Sequence, residues 1–375
     1  MRVLILSCNT GEGHNSCAKA IKEVLDIKGE YCVIEDSLRF ISQRTSDFLS
    51  KGHVFVYRRI PWLFNFGYEY TENHAKVFKK GNMMYRFFAR GADSLYKYIV
   101  QESFDTVICT HSFSALILTE VLERYSLKIK TAFTATDYTC SPGVKDSRLD
   151  CYFIPSEHLT HDFLCPHIPV EKVIPSGIPV RQMFYKSIPR DEVKRRLGIS
   201  PENKHLVIMC GSMGCGPIEK LTETLAENLN NGTEITVICG TNEKLKTRLD
   251  NKLGKYKNLH IMGYVKDMSQ MLDSADLYLT KAGGISVTEA AVKKVPMLFI
   301  NAVAGCEDYN STFYTRLGCA VSGGNIMEIM EKCEIILHGN NYYTSMTQAF
   351  DKATCINSAE CIYTVLKKGA VCKNA

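Results

Sequence analysis

Short apolar runs alternate with longer amphipathic stretches through the first part of the chain. The opening run predicts a strand at residues 3–7, which a glycine loop joins to a helix over about residues 15–25. The other buried-strand candidates of this part are residues 31–35, 106–110, 131–135 and 151–154. Strands that alternate with helices in this way predict crossover connections and a parallel sheet.

The same alternation restarts at His205. It predicts strands at residues 206–210, 234–239, 259–262, 277–280 and 297–300. Residues 174–180, Ile-Pro-Ser-Gly-Ile-Pro-Val, are rich in breakers and are predicted to link two domains. We therefore expect an α/β protein with two domains, residues 1–175 and 176–375, each built on a parallel sheet. A last helix is predicted over about residues 344–367, and its pattern fits packing on either domain.

The composition is that of a globular protein with a sizeable core. The chain has 375 residues, of which 45% are hydrophobic and 23% are charged. This length suits two domains of ordinary size. A formal net charge of +5 does not indicate a nucleic-acid-binding surface, so no nucleic acid partner is expected.

Sixteen cysteines are scattered along the chain without a Cys-x-x-Cys pair. Three of them, Cys109, Cys210 and Cys239, lie in or beside apolar strand-like runs. Buried free thiols in a reducing cytoplasm explain this pattern, and the spacing indicates no metal site. No run approaches the roughly 20 apolar residues that span a bilayer, so any membrane contact is expected to be peripheral.

One region departs from the alternating pattern. Residues 51–100 contain nine Lys or Arg against three Asp or Glu, and 13 of the chain's 37 aromatic residues. Aromatic and basic side chains together suit the headgroup boundary of an anionic membrane. Residues 51–98 therefore predict a membrane-facing segment, and a packed aromatic subdomain is the alternative. The predicted contact residues are Arg58, Arg59, Trp62, Phe64 and Phe66.

The first glycine loop, residues 11–16 (Gly-Glu-Gly-His-Asn-Ser), joins a predicted strand to a predicted helix. Its glycines allow a tight turn, and the helix N-terminus favours an anion. His14 stands where a loop at the carboxyl edge of a sheet faces a ligand, and there a histidine is suited to act as a general base. The loop also fits a dinucleotide fingerprint with Glu35 or Asp36 on the ribose, although His14 would then project into the cofactor's path.

Two further glycine loops follow strands of the second domain. Residues 211–216 (Gly-Ser-Met-Gly-Cys-Gly) lack the Gly-Lys-Ser/Thr ending of an ATP-binding loop but can offer backbone N–H groups to a diphosphate. Gly283 and Gly284 expose the next helix N-terminus, and Glu289 beyond them is placed to accept both hydroxyls of a ribose. Polar residues 301–310 follow the next strand, where they can hydrogen-bond a sugar or cap a helix.

These motifs, in this order, resemble the monogalactosyldiacylglycerol synthase and processive diacylglycerol glucosyltransferase family. The likeness covers nearly the whole chain and includes the Gly-x-Gly-His loop, the Gly-Gly-x-x-x-x-Glu stretch and residues 134–138, 176–180, 263–265 and 307–310. The family is related to the peptidoglycan N-acetylglucosaminyl transferase. The resemblance implies the GT-B fold, with two Rossmann-like domains whose parallel sheets face a central cleft.

The resemblance also implies an activity. It is the inverting, metal-independent transfer of a hexose from UDP-glucose or UDP-galactose to diacylglycerol or glycosyl-diacylglycerol, without a cofactor, by a cytoplasmic protein on the inner face of the cell membrane. On the acceptor side, the implied residues are Gly13, His14 as the base and Asp137 as a second catalytic group. The implied donor-binding residues are Gly211, Ser212, Met213, Gly214, Tyr264, Val265, Gly283, Gly284, Ile285, Ser286, Glu289, Glu307, Asp308 and Asn310.

Three positions depart from the residues common in that family, namely Glu12, Ser112 and Ala282. Two other functions fit the same motifs. UDP-N-acetylglucosamine 2-epimerases also have two such domains, although they need no membrane-facing segment. A non-catalytic sensor would bind a UDP-sugar at a membrane without turnover, and against it His14 favours catalysis.

Overall fold

The computed structural model describes residues 1–9, 11–47, 75–211, 218–229, 231–300, 305–353 and 356–368. The chain divides into two compact units, each of which holds one sheet. The first unit contains Met1–Gln182 and Cys355–Ala375, and the second contains Met183–Thr354. The chain therefore leaves the first unit after residue 182 and returns to it near its end.

The sheet of the first unit consists of β1 (Arg2–Ser7), β2 (Tyr31–Asp36), β3 (Thr106–Cys109), β4 (Lys130–Thr134), β5 (Cys151–Ile154) and β6 (Val173–Pro175). The six strands are parallel and lie in the order β2-β1-β3-β4-β5-β6. The central strands β1, β3 and β4 are buried along nearly their whole length. Continuous burial of this kind is typical of a parallel sheet with helices on both faces.

Helices of the first unit are α1 (Glu12–Ile27), α2 (Met83–Ala89), α3 (Ala92–Gln101), α4 (Ser112–Arg124) and α5 (Thr160–Phe163). Apolar residues of α1 recur at helical spacing, so that Cys17, Ile21 and Val24 are buried along one face. The helix ends just before Gly29, whose φ of +72° is left-handed and suits glycine at a helix C-terminus.

The sheet of the second unit consists of β7 (Lys204–Met209), β8 (Thr233–Ile238), β9 (Leu259–Met262), β10 (Leu277–Thr280), β11 (Met297–Ile300) and β12 (Ala320–Gly323). These strands are also parallel and lie in the order β12-β11-β10-β7-β8-β9. Helices of this unit are α6 (Arg190–Arg196), α7 (Ile218–Asn228), α8 (Glu243–Leu253), α9 (Met268–Ser274), α10 (Gly284–Val292), α11 (Cys306–Leu317), α12 (Ile326–His338) and α13 (Asn340–Ala349).

The last described helix, α14 (Ser358–Lys368), belongs to the first unit and packs against α1. Ile362 and Leu366 are buried on its inner face. The Lys367 ammonium donates to Glu30 Oε1 at 2.7 Å, and the hydroxyl of Ser358 donates to the Gly177 carbonyl at 2.8 Å. Apolar burial and polar contacts at both ends therefore hold this helix on a sheet whose strands all precede residue 176.

Three sequence expectations differ from the structure. Residues 174 and 175 were expected in a linker but belong to β6, because an edge strand pairs on one side only and tolerates proline. Strand β12 was not predicted, since its four residues carry little apolar signal. The single helix expected over residues 344–367 is instead two helices, α13 and α14, which lie in different units.

The cysteines of the described ranges carry free thiols, and Cys109, Cys210 and Cys239 are buried, as predicted. Burial raises the pKa of the Cys239 thiol to about 11, so this group stays protonated at neutral pH. Among the helices that the structure describes, none combines the length and the hydropathy needed to cross a bilayer.

Candidate active site

In the first unit, His14 lies at the point where the order of the strands in the sheet reverses. From β1 the chain proceeds to β2 on one side of that strand, and it later adds β3 on the other. In open α/β sheets such a switch point, at the carboxyl ends of the strands, is the usual ligand position. His14 lies in the first turn of α1 after β1, and His111 caps the start of α4 after β3.

The backbone fixes the tautomer of His14. Its Nδ1 atom lies 2.7 Å from the carbonyl oxygen of Thr110. Since a carbonyl oxygen only accepts hydrogen bonds, Nδ1 carries the proton and donates it. Nε2 of the neutral ring then holds the lone pair and is the atom able to take a proton from a ligand.

Thr136 connects His14 to Asp137. The Thr136 hydroxyl oxygen lies 3.1 Å from His14 Nδ1, and the hydroxyl donates to Asp137 Oδ2 at 3.3 Å. Burial is the main influence on His14 and lowers its pKa, while the Asp137 carboxylate and the Thr110 carbonyl act in the opposite sense. The imidazole is therefore neutral at pH 7, with a carboxylate nearby that favours the protonated ring once it forms.

His111 packs edge-on against His14, with 4.4 Å between ring centroids. Its Nδ1 accepts the backbone N–H of Phe113 at 3.0 Å, which satisfies an otherwise unpaired donor at the start of α4. An acceptor at Nδ1 leaves the proton of the neutral His111 ring on Nε2. Neighbouring helix starts thus present two histidines in opposite tautomers.

The dinucleotide alternative requires a free acidic residue at the end of β2. Asp36 is buried there and accepts hydrogen bonds from Asn9 Nδ2, Ser46 Oγ and the backbone N–H of Leu38. Glu35 is paired with Arg39 at 2.8 Å. Asp36 therefore organises the polypeptide around β2, and the geometry does not favour a nucleotide ribose at this position.

The second unit repeats the switch-point geometry with glycines. Strand β7 lies between β8 and β10, so the loops that follow β7 and β10 flank the switch point. Gly211 follows β7 with a φ of +72°, and Gly283 is the N-cap of α10. A Cβ at Gly283 would meet no atom of the described residues within 4 Å. Packing among the described residues therefore does not require a glycine at this position. The absence of a side chain allows a ligand to approach the N-terminus of α10.

Lys281 and Glu307 form an ion pair beside these glycines. The Lys281 ammonium donates to Glu307 Oε1, and the two side chains are only 16% and 12% exposed. The stem of Lys281 lies over Gly211, where an added Cβ would come within 2.9 Å of the lysine Cε. The pair thus joins the loop after β10 to the first turn of α11 and lies against the loop after β7.

Asn310 and Asp308 stabilise backbone in this region. The fully buried Asn310 amide donates to the Ala282 carbonyl at 2.8 Å, which ties α11 to the residue before Gly283. Asp308 Oδ2 accepts the Gly305 backbone N–H at 3.3 Å and caps the start of α11. Asn310 therefore positions the glycine loop, and its direct contact with a sugar stays a prediction.

The remaining predicted donor residues of the described ranges lie at the same carboxyl edge of the sheet. Glu289 is half-buried in the second turn of α10, in the helix that begins with Gly284, Ile285 and Ser286. Tyr264, 70% exposed, and Val265 follow β9 at the edge of the sheet. Two sets of predicted residues lie outside the described ranges, namely Ser212, Met213 and Gly214, and Arg58, Arg59, Trp62, Phe64 and Phe66. Gly13 lies in the first turn of α1.

Sequence reasoning missed the residues that act on the predicted ones, namely Thr110, His111, Thr136 and Lys281. Thr110 contributes a backbone carbonyl, which no sequence pattern reveals. Lys281 did carry a signal, because a cation two residues before a glycine pair at a strand end is well placed to meet an anion. Thr136 carried a weaker one as the neighbour of Asp137.

Two family models match the chain in succession. Residues 14–180 match monogalactosyldiacylglycerol (MGDG) synthase, and residues 205–320 match the glycosyltransferase family 28 C-terminal domain. A processive diacylglycerol beta-glucosyltransferase of Bacillus licheniformis is 25% identical over 96% of this chain and 93% of its own. The Bacillus subtilis protein of the same name is 26% identical over the same shares.

Solved structures share the fold across both units. MurG of Acinetobacter baumannii superposes with a TM-score of 0.67 at 15% identity, covering 98% of this chain and 99% of its own. At this identity the likeness concerns the fold alone, whereas both family models describe glycosyltransferases. The chain is a glycosyltransferase of the GT-B fold, in which a segment similar to the monogalactosyldiacylglycerol synthases precedes a glycosyltransferase family 28 C-terminal domain.

Proposed function

We propose that this glycosyltransferase moves a hexose from a UDP-sugar to diacylglycerol or glycosyl-diacylglycerol, with inversion and without a metal ion. The relatives named processive diacylglycerol beta-glucosyltransferase support the acceptor class, since they align over nearly the whole chain. The observation that carries the proposal is the orientation of His14. Its protonated Nδ1 is held by the Thr110 carbonyl, which leaves Nε2 as a base at the switch point of the first unit.

Acceptor activation follows from this orientation. The hydroxyl of diacylglycerol is a poor nucleophile until its proton is removed, and neutral His14 supplies Nε2 for that purpose. The imidazolium that forms keeps its hydrogen bond to Thr110 and is stabilised by the negative charge of Asp137. Asp137 thereby favours the protonated ring as the acceptor oxygen becomes negative. The Thr136 hydroxyl connects the two side chains by hydrogen bonds.

Donor binding is assigned to the second unit. Gly211 after β7 and the N-terminus of α10 at Gly283 suit the diphosphate, and Glu289 on that helix suits the ribose hydroxyls. The acceptor oxygen forms a bond to the anomeric carbon while the bond from that carbon to the diphosphate breaks. A single displacement inverts the anomeric centre, so an α-linked UDP-sugar gives a β-glycoside. The names of the Bacillus relatives specify that product configuration.

The membrane surface is assigned to α2 and the residues that precede it. Met83 is 84% exposed and Met84 38%, while Tyr85 and Phe88 face inward. Lys79 and Arg86 are exposed beside them. Apolar tips with adjacent cations suit the boundary of an anionic bilayer. We propose that this face and residues 51–74 contact the inner leaflet of the cell membrane.

Product analysis by mass spectrometry tests the proposal. The full-length protein would be incubated with vesicles of diacylglycerol and anionic phospholipid, a panel of UDP-sugars, and EDTA. One UDP-hexose should give a β-linked glycolipid, with the product lost in His14→Ala and Glu289→Ala. His161→Ala is the matched control, because His161 is an exposed histidine of the same unit.

Each outcome has a defined meaning. Product from UDP-glucose or from UDP-galactose alone identifies the hexose, and loss of product with EDTA would overturn the metal-free mechanism. If the protein binds a UDP-sugar but forms no glycolipid from any donor, it is either a non-catalytic sensor or a transferase that uses a different acceptor. Full activity in His14→Ala would remove His14 as the base.

A further inference from the structure

Glu307 is one of the implied donor-binding residues, and in the structure it forms an ion pair with Lys281, to which the proposed donor site assigns no role. The pair bridges the ends of two neighbouring strands, since Lys281 directly follows β10 and Glu307 lies in the helix that follows β11. Both groups are largely withdrawn from water. Largely buried charges are costly unless each has a partner, so whatever takes one charge away must compensate the other.

The surroundings of the pair indicate what kind of ligand would bind the Lys281 ammonium. Its stem lies over the left-handed Gly211, and Gly283 is two residues further along the chain, where none of the described residues would contact an added Cβ. The lysine thus lies between Gly211 and Gly283, at the switch point. An anion held at these loops would come within reach of a flexible four-carbon side chain.

The Glu307 carboxylate is placed to bind a different part of the same ligand. Its carboxylate lies in the first turn of α11, a helix that Asn310 ties to the Ala282 carbonyl. A carboxylate at this place faces the same strand ends as Gly283 but has the wrong charge for a phosphate. It has the right chemistry to accept hydrogen bonds from the hydroxyls of a sugar.

We propose that the donor makes this ion pair exchange partners. In the structure described here, Lys281 is bound by Glu307. When a nucleoside diphosphate sugar binds, the Lys281 ammonium moves to the β-phosphate, and the released Glu307 carboxylate accepts hydrogen bonds from the sugar. The inference deepens the proposed function and rests on its donor class.

The exchange supplies a stabilising charge at the leaving group. When the bond between the anomeric carbon and the β-phosphate oxygen breaks, its electron pair stays on that oxygen. The Lys281 ammonium then faces the growing negative charge on the leaving diphosphate, where a bound metal cation would have the same stabilising role. The pair also couples recognition of the sugar to recognition of the diphosphate, because neither contact forms until the ion pair opens.

Calorimetric titration of the full-length protein tests the exchange, with UDP, uridine and UDP-glucose as probes. Lys281→Met should weaken UDP binding about 10- to 100-fold, as expected for a lost charge-assisted hydrogen bond. Uridine affinity should stay within about twofold, because uridine has no phosphate. Lys281→Arg should retain most of the UDP affinity. Lys252→Met removes an exposed cation of the same unit and should change nothing.

Glu307→Gln separates the two halves of the proposal. This variant removes the anion that competes for Lys281, so UDP should bind as tightly as to the wild type or more tightly. UDP-glucose should lose the advantage that its sugar contributes over UDP. The double variant Lys281→Met/Glu307→Gln removes both charges. It replaces Lys281→Met in the titrations if the single variant has a lower thermal unfolding temperature.

The results that would overturn the exchange differ from those that would overturn the donor class. If UDP binds Lys281→Met as it binds the wild type, or if uridine loses as much affinity as UDP, Lys281 does not contact the diphosphate. Weaker UDP binding to Glu307→Gln would mean that the pair holds the site together and does not open. A wild-type protein that binds no UDP would remove the donor class, and the exchange with it.

Discussion

At the residue scale, the proposed acceptor site depends on three groups that contact the His14 imidazole. The Thr110 carbonyl orients His14, Thr136 links it to Asp137, and His111 lies edge-on against it. The sequence indicated His14 because this histidine lies in a glycine loop after a strand, whereas Asp137 was implied by the family resemblance. It could not predict the tautomer, which depends on a backbone carbonyl 96 positions away.

Asp137→Asn should move the acidic limb of the kcat/KM profile to lower pH. Burial lowers the pKa of His14 from the ordinary value of 6.5, and the Asp137 carboxylate partly offsets that effect. A base works only when it is deprotonated, so activity is lost as the pH falls through this pKa. Removal of the carboxylate lowers the pKa further and extends activity to more acidic conditions, with a smaller maximal rate. The measurement is glycolipid formation across the pH range.

Asp162→Asn provides the control, because Asp162 is an exposed acidic residue of the same unit. Its profile should coincide with that of the wild type. An acidic limb that stays in place or moves to higher pH in Asp137→Asn would show that this carboxylate does not act on the base.

At the scale of elements, the interior strands were predictable and some edges were not. Strands such as β5, β10 and β11 are short apolar runs whose predicted and observed bounds agree. Strands β6 and β12 each lie at an edge of a sheet and include Pro175 or Gly323. An edge strand needs a partner on one side only, so its sequence is less constrained and its signal is weaker.

Gly211→Ala tests how the loop after β7 supports Lys281. Alanine at a φ of +72° is strained by about 1–2 kcal/mol, and its Cβ would press on the Lys281 Cε. We expect lower thermal stability and weaker UDP binding.

Gly198→Ala is the matched variant, because Gly198 has a φ of +75° but an added Cβ there would meet no atom of the described part of the chain within 4 Å. It should lose a similar free energy of unfolding and keep the UDP affinity of the wild type. Equal UDP affinities in the two variants would mean that the contact between Gly211 and Lys281 has no role in donor binding.

At the scale of the whole molecule, the first unit is made from two separated stretches of sequence. Helix α14 packs on α1, and Glu30 binds both the N-terminal ammonium and Lys367. The pattern of strands and helices indicated two sheets, but no periodicity in a helix specifies which sheet it covers. This information lies in contacts between residues more than 300 positions apart, such as Glu30 with Lys367.

Ile362→Ala should destabilise the first unit selectively. Ile362 is 1% exposed on the inner face of α14, and truncation of a buried isoleucine costs about 2–5 kcal/mol. Amide hydrogen exchange should become faster in β1 and α1 and stay unchanged in β7 and β8. Lys368→Ala, an exposed position of the same helix, should leave both regions protected. Equal acceleration in both units would contradict a role confined to the first unit.

The return of the chain to its first unit has a consequence for biosynthesis. A ribosome completes the six strands of the first sheet well before it makes α14, because the whole of Met183–Thr354 comes between them. At about 5–20 residues per second, this interval lasts roughly 10–30 s. During that time the face of α1 that α14 will cover is exposed on the nascent chain. The second unit, which is continuous in sequence, can finish folding before the first, so the part of the protein that is made first is completed last.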